Sequence, residues 1–244
     1  MGIAWASAWR FLVSEMSAGL PIRFYVQVCI CAALWGSAFP VIKLSYEALA
    51  IEGFGERMVF AGLRFMLAGL LIVPFCRSSV VRTARAAPLG LLVWVVLGQT
   101  VFQYVFFYYA LSVSSGTLGA LLVGAGSFWW MLLAPVFLKS PAPTPKQWGL
   151  VAVCAAGICL AVYAPGAGSG QVGLGTAAFL LASLSGAFGA IGLKKVSATH
   201  GSRAVTAISL FTGGLVLLLI GLGGWDGFWK DVSVAGLGVL AYLA

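Results

Sequence analysis

Two basic residues, Lys43 and Arg64, lie inside long apolar segments of the 244-residue sequence. A cation within a bilayer costs at least about 2.5 to 3.5 kcal/mol, so it usually faces a partner or a water-filled cavity. Arg64 is therefore predicted either to act at a binding site or to pair two helices. Lys43 has an alternative, because it lies four residues before Glu47 and its long side chain can reach the membrane interface. Two such cations favour solutes that carry a carboxylate or a phosphate group.

Pro40 lies near the middle of the first apolar segment. Proline has no N–H, so the carbonyl of Gly36 lacks its usual helical donor. Discontinuous helices of this kind form substrate sites in membrane carriers, where irregular backbone lines a cavity. The alternative is a simple kink, with the carbonyl satisfied by Ser37 or by a neighbouring helix.

Two polar pairs lie in the third apolar segment, each with the i, i+4 spacing that places side chains on one helix face. Gln99 and Gln103 form one pair, and Tyr104 and Tyr108 form the other on an adjoining face. Amides and phenols together suit the binding of a polar solute. The alternative is that the glutamines join helices by hydrogen bonds and that the tyrosines belong to an aromatic belt.

The composition places these residues in a membrane. Hydrophobic residues make up 61% of the sequence and charged residues 8%, against roughly a quarter charged in a soluble domain. A water-soluble globule and a disordered chain are both excluded. The formal net charge is +8, but the basic residues are scattered between apolar runs, so no nucleic-acid partner is expected. The predicted partners are the lipid bilayer and a small-molecule substrate, and a homo-oligomer stays open.

The sequence has no pattern typical of an enzyme or of a metal site. His200 is the only histidine, and there is no HExxH, GxSxG or P-loop motif. The five cysteines have no paired spacing that indicates a disulfide framework or a zinc site. We therefore predict a protein that is not an enzyme and that has no cofactor and no bound metal.

Seven apolar runs are long enough to cross the hydrocarbon core, which takes about 20 residues, and an eighth begins near Val234. A turn from Ser112 to Thr117 divides a charge-free run that is too long for one crossing. A Gly-rich linker at 165–172 separates two halves of the chain. The predicted spans are residues 25–46, 58–76, 87–111, 117–138, 146–164, 173–193 and 204–222.

The distribution of basic residues predicts the orientation. Most of the 14 Lys and Arg residues fall in the amino-terminal segment and in alternate loops, which places them all on one side. By the positive-inside rule that side is cytoplasmic. The chain is thus expected to cross the membrane several times, with residues 1–22 as a cytoplasmic amino-terminal segment.

The spans also show a weak internal repeat. The pattern Phe65-x-x-Ala68-Gly69 in the second span loosely matches Phe211-x-x-Gly214 in the seventh, at an offset of roughly 150 residues. An offset of five helices makes the second half enter the membrane upside down. The sequence therefore predicts an all-α transmembrane bundle of two inverted five-helix repeats, residues 23–164 and 173–244. A ten-helix fold would be truncated here after about seven and a half helices; a natural variant with seven or eight helices is the alternative.

Several motifs resemble the EamA-type permeases of the drug/metabolite transporter superfamily. The segment from Leu34 to Lys43, with the residues Leu-Trp-Gly-Ser-Ala-Phe-Pro-Val-Ile-Lys, resembles the opening of that family. The Arg64-Phe65 pair within Leu63–Leu71 continues the resemblance in the second helix. Tyr108 to Leu111 and Gln147 to Ile158 are similar to the family's third and fifth helices.

The resemblance implies a ten-helix fold of two inverted repeats that moves metabolites across a bacterial inner membrane. The residues that match the family's opening motif are Trp35, Gly36, Ser37, Lys43 and Arg64.

Motifs and resemblance together predict a secondary transporter that exports a small amphipathic or amino-acid-like solute by alternating access. The alternative is a non-transporting membrane protein or a subunit that depends on a partner. The candidate substrate-binding residues are Trp35, Gly36, Ser37, Pro40, Lys43, Arg64, Gln99, Gln103, Tyr104 and Tyr108.

Overall fold

The computed structural model describes residues 22–163, 172–230 and 234–244. All regular structure within these ranges is helical. The main helices are α1 (Ile22–Ala48), α2 (Phe54–Ile72), α3 (Val80–Ala86), α4 (Leu89–Val95), α5 (Gln103–Val113), α6 (Gly116–Val123), α7 (Gly126–Leu138), α8 (Pro145–Tyr163), α9 (Val172–Ser197), α10 (Ser202–Ile220), α11 (Trp225–Lys230) and α12 (Val234–Leu243). A π-helical segment, Val96–Phe102, joins α4 to α5.

Six of these helices or helix combinations are long and apolar enough to cross a membrane. They are Ile22–Ala48, Phe54–Phe75, Leu89–Val113, Gly116–Leu138, Gly173–Ser197 and Ser202–Ile220. The fifth predicted span corresponds to α8, which is apolar over Pro145–Leu160. The predicted polytopic helical bundle is therefore confirmed. The amino-terminal residues 1–21 and most of the linker lie outside the described residues, and the division into two repeats stays a prediction.

The chain separates into two compact units, Met1–Ala38 and Phe39–Ala244, with the boundary inside α1. In the first unit, the described part of α1 presents Val26, Ile30 and Leu34 at its surface, each more than half exposed. A helix whose apolar side chains are exposed in this way is suited to lipid rather than to water.

The second unit is held together by a close antiparallel contact between α2 and α10. A Cβ atom added to Gly62 would lie 2.7 Å from the Leu218 nitrogen and 2.8 Å from the Gly214 oxygen. Gly69, two turns further along α2, faces the Ala207 and Phe211 backbone in the same way. Because small residues let two backbones approach, this contact is typical of helix pairs in membranes. It fixes the helix that carries Arg64.

A second close contact joins α9 to the third span. Gly186, Gly189 and Gly192 lie against Gln103, Gln99 and Trp94, so α9 also runs antiparallel to its partner. The Ser185 hydroxyl donates to the Gly98 carbonyl (2.8 Å), within the π-helical segment. These glycines lie in a Gly-x-x-Gly-x-x-Gly pattern, which favours close helix packing.

The first helix corrects one sequence-based expectation. Helix α1 continues unbroken through Pro40, so the discontinuous helix considered for this segment is not observed. Irregular backbone occurs elsewhere: in the π-helical segment of the third span, and between α6 and α7 at Gly124 and Ala125. The predicted turn between the third and fourth spans is confirmed, because α5 ends at Val113 and α6 begins at Gly116.

Candidate solute-binding site

Arg64 lies in the middle of α2 and is half-buried. Its Nη1 donates to the Tyr108 hydroxyl oxygen (3.0 Å), and its Nε donates to the Leu243 carbonyl of α12 (2.7 Å). The guanidinium also lies 4.9 Å from the centre of the Phe65 ring, a distance that permits a cation–π contact. The structure thus holds one predicted site residue against another, Tyr108.

Aromatic rings surround this guanidinium. Tyr108 is fully buried, and its ring lies 6.2 Å from that of Tyr104 and 6.5 Å from that of Tyr46. Tyr104 in turn packs on Phe65, with ring centres 4.2 Å apart. The predicted tyrosine pair therefore faces α2, and one member contacts the predicted arginine.

Tyr46 and Arg57 also belong to this cluster, although neither is among the site residues predicted from the sequence. The Arg57 guanidinium lies 5.5 Å from the centre of the Tyr46 ring and donates to the Glu52 carbonyl (2.6 Å). The Tyr46 hydroxyl and the Arg57 Nε are both buried without a hydrogen-bond partner in the described structure. Arg57 lies seven residues before Arg64, a spacing that places both on one helix face and that could have revealed it.

The charges of this cluster have neutral partners. The hydrogen bonds of the two guanidinium groups go to carbonyl and phenol oxygens rather than to carboxylates. In a medium of low dielectric constant, a positive charge whose partners are neutral attracts an anion strongly. We define the Arg64 cluster as Tyr46, Arg57, Arg64, Tyr104 and Tyr108.

Lys43 contacts the turn between the third and fourth spans. Its Nζ donates to the carbonyl of Ser114 (3.0 Å), the residue that follows α5. A cation at a helix carboxyl terminus satisfies a free carbonyl and interacts favourably with the helix dipole. Lys43 therefore ties α1 to the turn between the third and fourth spans. A binding role for Lys43 stays a prediction.

The two predicted glutamines lie away from the tyrosines. Gln99 contacts Gly189 and Gln103 contacts Gly186, so both face α9 rather than α2. The Gln99 Oε1 atom is buried without a partner among the described residues. The structure thus divides the predicted polar residues of the third span between two helix contacts, and a direct role for the glutamines in binding stays a prediction.

The remaining predicted residues lie on α1. In the first unit, Trp35 is exposed, Gly36 has open space beside it, and the Ser37 hydroxyl donates to the Leu34 carbonyl (2.8 Å). In the second unit Pro40 is exposed. Binding roles for these four residues stay predictions.

Within the described ranges, no three His, Cys, Asp or Glu side chains come close enough to share a metal ion. The sequence model of the EamA-like transporter family matches residues 22–163, which is more than half of the chain. No curated protein and no solved structure matches the chain. The matched range contains every member of the Arg64 cluster.

Proposed function

We propose, because the chain belongs to the EamA-like transporter family, that it exports a small amphipathic solute by alternating access. The proposed solute carries a carboxylate, as amino acids and related metabolites do. The proposed location is a bacterial inner membrane with the amino terminus in the cytoplasm, which the excess of basic residues on one side supports.

The observation that carries this proposal is the Arg64 guanidinium in the middle of a membrane-spanning helix. Its recorded bonds go to neutral oxygens and leave its charge uncompensated. A planar guanidinium can bind a carboxylate through two parallel N–H···O bonds, which makes arginine better suited than lysine to such a solute. The solute would exchange contacts with the Tyr108 hydroxyl when it binds.

Arg57 extends the proposed site along the same face of α2, and Tyr46 of α1 lies beside it, with the Arg57 guanidinium 5.5 Å from the centre of the Tyr46 ring. A donor that is buried without a partner costs free energy, and a solute oxygen placed near the Tyr46 hydroxyl would remove that cost. The aromatic rings of Phe65 and Tyr104 would contact the apolar part of the solute. An amphipathic carboxylate therefore matches both the charge and the surface of the cluster.

The antiparallel contact of α2 with α10 supports the proposed inverted repeat. These are the second and seventh spans, and helices separated by an odd number of crossings enter the membrane from opposite sides. Gly62 and Gly214 meet near the middle of each helix. We propose that the two repeats rock against each other around this contact.

The test is solute efflux from proteoliposomes that are preloaded with radiolabelled leucine, phenylalanine or succinate. The variant Arg64→Ala should lower efflux about 10- to 100-fold, the range expected for losing a charge-assisted hydrogen bond. Arg64→Lys should recover little, because lysine lacks the planar fork. The matched control is Arg82→Ala, which removes an exposed arginine of the short helix α3.

Equal efflux by Arg64→Ala and wild type would contradict the role proposed for Arg64. Absence of efflux by the wild type with all three solutes, in vesicles where the protein is folded and inserted, would contradict the proposed carboxylate transport.

A further inference from the structure

An apolar groove lies between the third, fourth and sixth spans, apart from the Arg64 cluster. Its volume is about 300 Å³, within the lower range of ligand sites. Its only hydroxyl belongs to Ser185 and already donates to the Gly98 carbonyl (2.8 Å). A groove whose polar group is satisfied suits an apolar occupant. Its walls are formed mainly by Phe102, Phe106, Leu133, Leu181, Leu184 and Phe188.

One end of this groove continues into a cluster of aromatic rings. The Phe188 ring lies 4.7 Å from the Trp94 ring and 5.5 Å from the Phe137 ring. The Lys195 Nζ lies over the same two rings, 5.0 Å from the centre of Trp94 and 5.8 Å from the centre of Phe137. Phe188 of the groove wall and the Lys195 ammonium group therefore both lie against the rings of Trp94 and Phe137.

A second cation lies beside the first. The Lys194 Nζ is 5.6 Å from the centre of the Trp130 ring. Trp130 lies three residues before Leu133 on α7, and Leu133 is part of the groove wall. Within the described part of the chain, the groove walls and the rings beneath the two ammonium groups include no acidic residue.

The spacing of residues along α9 gives the distance between the groove and the two lysines. Leu181, Phe188 and Lys195 are spaced by seven residues on α9, which places them on one face. At 1.5 Å per residue, each interval spans about 10 Å. The lysines therefore lie beyond the carboxyl-terminal end of the groove. Their distance from it along the helix axis is comparable with the thickness of one leaflet of hydrocarbon, about 15 Å. Side chains of a helix lean towards its amino terminus, so the lysines lean back towards the groove.

We propose that this groove binds an acyl chain of an anionic phospholipid and that Lys194 and Lys195 hold its phosphate. The apolar walls match the chain, and the two ammonium groups match the headgroup charge. Basic residues between membrane helices on the cytoplasmic side are suited to anionic headgroups, because that leaflet carries the negative surface potential. A soluble anion would find the charge but would leave the apolar walls uncovered.

The experiment is native mass spectrometry of the purified full chain, incubated in detergent with equimolar phosphatidylglycerol and phosphatidylcholine. The measured quantity is the ratio of the two lipids retained on the protein. The wild type should retain phosphatidylglycerol preferentially. The variant K194Q/K195Q should lower that ratio about 30-fold, or about 2 kcal/mol, since each lysine near an anionic surface contributes about 1 kcal/mol.

The matched control is R82Q/R85Q, which removes the same charge from two exposed arginines of α3. It should change the ratio less than about threefold, because those arginines do not line the groove. The single variant K195Q, with an expected drop of about fivefold, serves if the double variant does not fold. Leu184→Trp should fill the groove and reduce phosphatidylglycerol retention with both lysines in place.

An equal drop in K194Q/K195Q and R82Q/R85Q would overturn the proposal, because the effect would then reflect net charge alone. Unchanged retention in Leu184→Trp would overturn the assignment of the acyl chain to the groove. A lipid-free dimer as the main species would also overturn it, since a second copy would then cover this face.

Discussion

Replacing Tyr108 with phenylalanine tests the contact at the centre of the Arg64 cluster. The change removes one oxygen and leaves the ring, so packing against Tyr46 and Phe60 is kept. The lost oxygen accepts a hydrogen bond from the Arg64 Nη1 (3.0 Å), and Tyr108 itself is fully buried. The guanidinium would lose a partner where water cannot easily replace it.

Two ranges of hydrogen-bond energy determine the expected effect of this substitution on stability. A buried hydrogen bond to a charged group is worth about 1.5 to 3 kcal/mol in soluble proteins, whereas side-chain hydrogen bonds in membranes average about 0.6 and reach about 1.7 kcal/mol. Because the Arg64 Nε keeps its bond to the Leu243 carbonyl, the guanidinium loses one of these two hydrogen bonds and keeps the other. We expect Tyr108→Phe to lower the free energy of unfolding by about 1 to 2 kcal/mol.

The assay is reversible unfolding of the purified protein in mixed micelles with increasing dodecyl sulfate, followed by tryptophan fluorescence. Tyr109→Phe is the matched control, because Tyr109 is the next residue and its side chain is 40% exposed. The control should unfold as the wild type does. Equal stability of Tyr108→Phe, Tyr109→Phe and wild type would refute the hydrogen bond as a source of stability.

Two further substitutions test the close contact between α2 and α10 and the role of Lys43. Gly62→Ala should lower the free energy of unfolding by about 1 to 3 kcal/mol, because its Cβ would meet the α10 backbone. Gly157→Ala is its control, since nothing lies within 4 Å there; equal stability of the two in the same unfolding assay would contradict the close contact. Lys43→Met should cost about 1 kcal/mol of stability and leave efflux per folded protein unchanged, whereas the exposed Lys146→Met should change neither. Loss of efflux by Lys43→Met in proteoliposomes would support the binding role predicted for Lys43.

The spans could be predicted from the sequence because the bilayer imposes a simple requirement. An uncharged run of about 20 residues must form a helix if its backbone is to be satisfied in lipid. The boundaries between spans could also be predicted from local residues, such as the serines between α5 and α6. A local pattern was therefore sufficient for the spans and their order.

The candidate site could be predicted only in part, because its partners come from distant segments. Arg64 was predicted because placing a cation within the membrane costs free energy, and Tyr108 because it is a polar residue within an apolar span. Their contact joins residues 44 positions apart, which no local pattern shows. Arg57 lies one residue before the predicted second span, 58–76, although it belongs to α2. Lys43 likewise bonds the Ser114 carbonyl, 71 positions away, which its spacing from Glu47 does not show.

The π-helical segment has a consequence for how this sequence can vary in length. A π turn contains about one residue more than an α turn, so Val96–Phe102 stores one extra residue in the third span. Removing one residue here would convert the segment to a regular α-helix. Both flanks would keep their phase: Trp94 would still face α9, and Tyr108 would still face Arg64. The same deletion within α2 would rotate all later side chains by about 100°. Homologues that lack one residue should therefore lack it in this segment.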